Sequence, residues 1–90
     1  RIIRRHINEV KFCYERELTR TPNMEGRVMV NFTIGPTGGV VASIVQSSTL
    51  GNPVVEQCIA AALRRWEFPR PQGGIVVVTY PFVLKAAGGE

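Results

Sequence analysis

Along residues 2–20, Ile3, Ile7, Val10, Tyr14 and Leu18 recur at steps of three and four. That spacing draws one apolar stripe along a single amphipathic helix. Thr21-Pro22-Asn23 ends it, because proline disfavours helix in the residue before it. From 27 to 34 the period changes to two: Val28, Val30, Phe32 and Ile34 alternate with Arg27, Met29, Asn31 and Thr33, as in a strand with one buried face. Gly35-Pro36-Thr37-Gly38-Gly39 reads as a tight reversal. The apolar run Val40 to Val45 is therefore expected to pair back as a hairpin. Its inward face is ambiguous, since Val40, Ala42 and Ile44 compete with Val41 and Val45; a bulge would reconcile them. Asn52-Pro53 is a helix start, with a capping side chain and a proline at the first helical position. Val55, Cys58, Ile59, Ala62, Leu63 and Trp66 then share one face until Phe68-Pro69 stops the run, and Pro71 to Gly74 form a loop. Residues 75–85 read as a last strand with Val76, Val78, Tyr80, Phe82 and Leu84 on one face and Val77, Thr79, Pro81 and Lys85 on the other. The tail, 86–90, is expected to fray.

The predicted order is α-β-β-α-β, an α+β fold. With one apolar face per strand, the economical packing places both helices on one face of a three-stranded antiparallel sheet. A helical crossover brings strand three beside strand one, giving spatial order 2-1-3 and leaving strand three at an edge. Pro81 agrees with that placement, because proline has no N–H and is tolerated where that side of a strand faces out. An edge offers unpaired N–H and C=O groups to an incoming peptide, the β-augmentation mode of recognition. Free donors are expected near Val77 and Thr79.

Ninety residues make one domain, 1–90, with a modest core. Charged residues are 20% and apolar residues 44%, which excludes a disordered tail. No stretch approaches the roughly 20 apolar residues of a membrane span. The chain begins at Arg1 rather than methionine and is expected to be an excised part of a longer protein, with any anchor or export signal outside it. Eleven Lys and Arg stand against seven Glu and no Asp, and six of the basic residues fall in the first twenty positions. Glu9, Glu15 and Glu17 interleave with them, and Arg5/Glu9 and Lys11/Glu15 have i,i+4 spacing, so a solvated helix face is the expected reading. A basic RNA-binding domain is the alternative that this charge raises, but the ribonucleoprotein motifs are missing.

Catalytic chemistry finds little support. A zinc site wants four Cys or His ligands, or three plus water; the chain has two cysteines and one histidine, without CxxC or HxxxH spacing. His6 is expected to be a flank residue of the first helix. The glycine run joins two strands rather than opening a helix, so it reads as a turn and not a phosphate cradle. No catalytic residue, metal, cofactor or small-molecule substrate is expected. Trp66, Phe68, Tyr80 and Phe82 fall on core faces or at the helix exit, where packing explains them. Cys58 sits on the apolar stripe of its helix and Cys13 at the margin of its own. Helices lying side by side would let these two meet in a disulfide, a bond that persists outside the cytosol; the other reading is two small buried thiols.

Taken together, the element order, the Gly-Arg-Val-x-Val-x-Phe-x-Ile strand (Gly26 to Ile34), the glycine turn before Val40, Ser47-Ser48, and Arg-Arg-Trp-Glu-Phe-Pro (Arg64 to Pro69) resemble the TonB C-terminal domain. Cys13-Tyr14 with Cys58-Ile59, and Tyr80-Pro81-Phe82, look like its AgmX/PglI type, associated with myxobacterial gliding motility. The resemblance implies a full-length protein anchored in the inner membrane, with this domain in the periplasm. It also implies that a periplasmic or outer-membrane protein segment is bound as an added strand along Ile75, Val76, Val77, Val78, Thr79, Tyr80, Pro81 and Phe82 to transmit force or energy. A homodimer pairing through the same strand is the alternative use of that edge.

Overall fold

The computed structural model describes residues 2–86; the predicted fraying of the tail falls largely on 87–90, outside the described residues. The first apolar stripe forms two helices rather than one, α1 (Ile2–Arg5) and α2 (Ile7–Leu18). The break is at His6, whose backbone (φ −105°, ψ 9°) leaves the helical region. Its ring stacks on Trp66 at 4.9 Å and 17°. Contact with a residue sixty positions away thus accounts for a break that local periodicity cannot show.

Strand β1 (Gly26–Ile34) buries Val28, Val30, Phe32 and Ile34, as its alternation predicts. Strand β2 (Val40–Ser48) pairs with it antiparallel, and the register slips at two places on β1, between Met29 and Val30 and between Thr33 and Ile34. Val41 and Gln46 are thereby skipped, so Val40, Ser43, Val45 and Ser48 point inward. The bulges resolve the competing patterns: neither simple alternation is followed, because each extra residue switches the parity of those beyond it. Strand β3 (Val76–Leu84) pairs antiparallel with β1 over nine consecutive positions without a slip. The sheet order is β2-β1-β3.

Helix α3 (Pro53–Leu63) starts as predicted: the Val55 N–H donates to Asn52 Oδ1 at 3.1 Å, and proline occupies the first turn. Three tightened turns after Leu63 carry the chain to Trp66. Val10, Cys13 and Tyr14 of α2 and Val55, Ile59 and Leu63 of α3 pack on the inner face of the sheet, with Phe32, Phe82 and Leu84 beneath them. Each fully buried side chain of this size stabilises by about 1.5–3 kcal/mol. Among the described residues, the opposite face of the sheet carries no helix.

Cys13 and Cys58 are joined by a disulfide between α2 and α3, with Cα atoms 5.7 Å apart. Their expected roles are exchanged: Cys13 is 2% exposed, whereas Cys58 is half-buried. The reason is rotation. The core line of α3 runs through Val55, Ile59 and Leu63, which leaves Cys58 on the flank facing α2.

The glycine turn and the Arg64–Pro69 motif form one joint. The Phe68 N–H donates to the Gly38 carbonyl at 2.8 Å, and Gly39 bridges to Glu67. Gly38 adopts φ +98°, and a Cβ there would lie 2.1 Å from the Phe68 carbonyl oxygen, so both conformation and space require glycine.

Candidate functional site

The free side of β3 follows from the hydrogen bonds of Arg27. Its N–H donates to Thr49 Oγ1 at 2.8 Å, and its carbonyl accepts from the Thr49 N–H at 2.9 Å, so its backbone faces β2. Backbone groups alternate sides along a strand. Val28, Val30, Phe32 and Ile34 therefore turn toward β3, where they meet Phe82, Tyr80, Val78 and Val76. The intervening residues of β3, Val77, Thr79, Pro81 and Val83, aim their backbone groups away from β1. Val77, Thr79 and Val83 supply outward donors; Pro81 supplies only a carbonyl. Its proline thus costs the β1–β3 ladder nothing.

Of the eight residues expected at this site, Ile75 precedes the strand rather than belonging to it, and Phe82 is buried. Val76, Val78 and Tyr80 face the helix side, while Val77, Thr79 and Pro81 face the bare side of the sheet. Ile75 (60%), Val76 (40%) and Val77 (59%) form a run of exposed β-branched residues. At the next position outward from this run, Asn31 Nδ2 donates to Thr79 Oγ1 at 3.0 Å across the strand pair.

The other edge is different. β2 is interrupted by two bulges, devices that blunt an edge against pairing. β3 is regular from end to end.

Sequence reasoning missed a groove beside this edge. Ile3, Arg4, Ile7 and Lys11 look across it at Tyr80–Val83. Arg4 and Lys11 were expected on a solvated helix face. What brings them here is the placement of α1 and α2 alongside β3, which no local pattern reports.

The first-turn carboxylate of α2, Glu9, does not pair with Arg5. Its Oε2 lies 3.0 Å from His6 Nδ1, and its Oε1 accepts from Trp66 Nε1–H at 3.1 Å, with the Arg65 guanidinium at 3.5 Å. Burial pushes the Glu9 pKa up, but the hydrogen bonds from Trp66 and His6 and the charges of His6 and Arg65 outweigh it. The carboxyl is held below its ordinary value. This cluster ties the α1–α2 break to the exit of α3 around Trp66, which is 1% exposed. His6 is therefore half-buried packing rather than a loose flank. Tyr14 donates its O–H to the Met24 carbonyl; burial, then the Glu25 charge, raise its pKa. Among the described residues, no three His, Cys, Asp or Glu side chains gather to hold a metal. No family model, curated protein or solved structure matches the chain.

Proposed function

We propose that this domain is a periplasmic protein-interaction module of an inner-membrane-anchored, TonB-like protein. It docks an extended segment of a periplasmic or outer-membrane partner on the free edge of β3 and passes force or energy through that contact, in a gliding-motility setting. The observation that carries the reading is the contrast between the two edges: β2 is bulged, while β3 keeps an unbroken register and exposes Ile75–Val77 beside outward donors at Val77 and Thr79. Main-chain hydrogen bonds would give affinity and the flanking apolar side chains specificity. The Cys13–Cys58 bond supports an oxidising compartment. The domain has no catalytic role in this reading.

The test is a photo-crosslinking side chain at Ile75 in the full-length protein, irradiated in its own cells, with and without Thr79→Pro. The Thr79 N–H faces outward, so proline there removes a docking donor and leaves the β1 ladder intact. Loss of a discrete adduct is the expected result, with the fold retained by circular dichroism although the exposed Asn31–Thr79 side-chain bond is lost. An adduct indifferent to Thr79→Pro refutes docking at this edge. An adduct of twice the chain mass, with size-exclusion volume dependent on concentration, assigns the edge to a second copy instead.

A further inference from the structure

The groove flanking β3 has a chemistry that the strand edge alone does not explain. Ile3 and Ile7 supply apolar surface on its helix side and Tyr80 on its strand side. Arg4 and Lys11 sit among them, and among the described residues no acidic side chain lines the groove. Among the described residues neither cation is in an ion pair, whereas Arg65 on the neighbouring helix exit reaches Glu9. Two positive charges with no ion-pair partner among the described residues thus border an apolar trough that runs beside a row of backbone groups.

We propose that the segment docked on β3 carries an acidic side chain among its apolar ones, and that Arg4 and Lys11 receive it. The inference rests on the β3-edge reading and adds the chemistry of the ligand. The outward donors at Val77 and Thr79 anchor the added strand. Pro81 then withholds a donor, so the segment's backbone is less tied as it passes the groove and side-chain contacts take over. A strand advances about 3.3 Å per residue, so the stretch from Thr79 to Val83 is about 13 Å long. The acidic residue therefore falls about two to four positions from the residue paired with Thr79. A nucleic acid would need a track of cations along its phosphates. Two cations over an apolar floor, next to peptide hydrogen-bonding groups, match an acidic peptide better. Opposite charge at the groove speeds encounter and selects among partners.

The experiment is a selection of random twelve-residue peptides on the protein, followed by affinity measurement of the selected peptides on three variants. Val77→Pro with Thr79→Pro tests the edge. Arg4→Glu with Lys11→Glu tests the groove. Arg20→Glu with Arg70→Glu makes the same change in net charge elsewhere. Circular dichroism verifies folding of each. The expected result is selection of apolar peptides containing Asp or Glu whose binding is lost on the proline variant. On the groove variant, binding is weakened by about tenfold or more; it is restored there when the acidic residue is replaced by Lys, and it is unaffected on the control. Binding lost on the proline variant but unchanged on the groove variant overturns the acidic-ligand inference alone. Binding retained on the proline variant overturns the edge reading and this inference with it, as does failure to select any peptide. Equal weakening on the groove variant and the control shows a bulk charge effect and also overturns it, as does competition for the selected peptides by a random-sequence RNA at matched concentration.

Discussion

Reducing the Cys13–Cys58 bond removes a cross-link without deleting a packed atom, which makes it the cleanest perturbation of this fold. The bond joins positions 45 apart in sequence. Closing a loop of that length in the unfolded chain corresponds to about 4 kcal/mol on the chain-entropy model. A 90-residue domain is stable by about 5–13 kcal/mol in all, so the cross-link carries a large share. At about 4–8 °C per kcal/mol for a domain of this size, reduction should lower the melting temperature by about 15–30 °C. The assay is urea unfolding followed by Trp66 fluorescence, oxidised against reduced, with Cys13→Ala/Cys58→Ala as a thiol-free control. The denaturant slope should rise on reduction, because the uncrossed chain exposes more surface when unfolded. A stability loss below about 1 kcal/mol would refute the reasoning. It would mean that packing of α2 on α3 already confines the chain, or that the unfolded state keeps the two helices together.

Trp66→Ala should cost about 3–5 kcal/mol, since the indole is fully buried between His6, Phe68 and Phe82; a loss under 1 kcal/mol by the same urea assay would contradict that packing. Glu9 has its pKa lowered in the folded state, so its contribution to stability is present above the unfolded value of about 4.3 and disappears as pH falls through the folded one. Melting temperatures measured from about pH 5 down to pH 3 should therefore fall less steeply for Glu9→Gln than for the parent, and parallel curves would count against the Glu9 network. Tyr14 behaves in the opposite sense. Its raised pKa means stability present below about pH 10 and lost as pH rises through the folded value, so ultraviolet titration of the folded protein should show a phenol ionising later than the free side chain.

Several features were legible from residues alone because their causes are local. The period-two run of β1, the Asn52-Pro53 cap and the glycine turn each carry their signal within a few positions, and each stands where the sequence predicts it. The strand order was legible too, since Pro81 needs a position whose N–H side faces out. The ambiguity of β2 was real: its two bulges are set by pairing with β1, so no reading of β2 in isolation could choose its inner face. The candidate site divides in the same way. The outward residues of β3 could be named from alternation and one proline, but the charged groove beside them could not.

The sequence by itself determined the elements, their order and the edge position of β3, because hydrophobic period, caps and turn chemistry act between near neighbours. Tertiary structure alone decided the break at His6, the exchange of burial between Cys13 and Cys58, the Glu9–Trp66 hydrogen bond and the convergence of Arg4 and Lys11 on the β3 edge. Each depends on the rotation and placement of one element against another. That geometry is fixed by the packing of the whole core, which residue spacing along a single helix or strand does not encode.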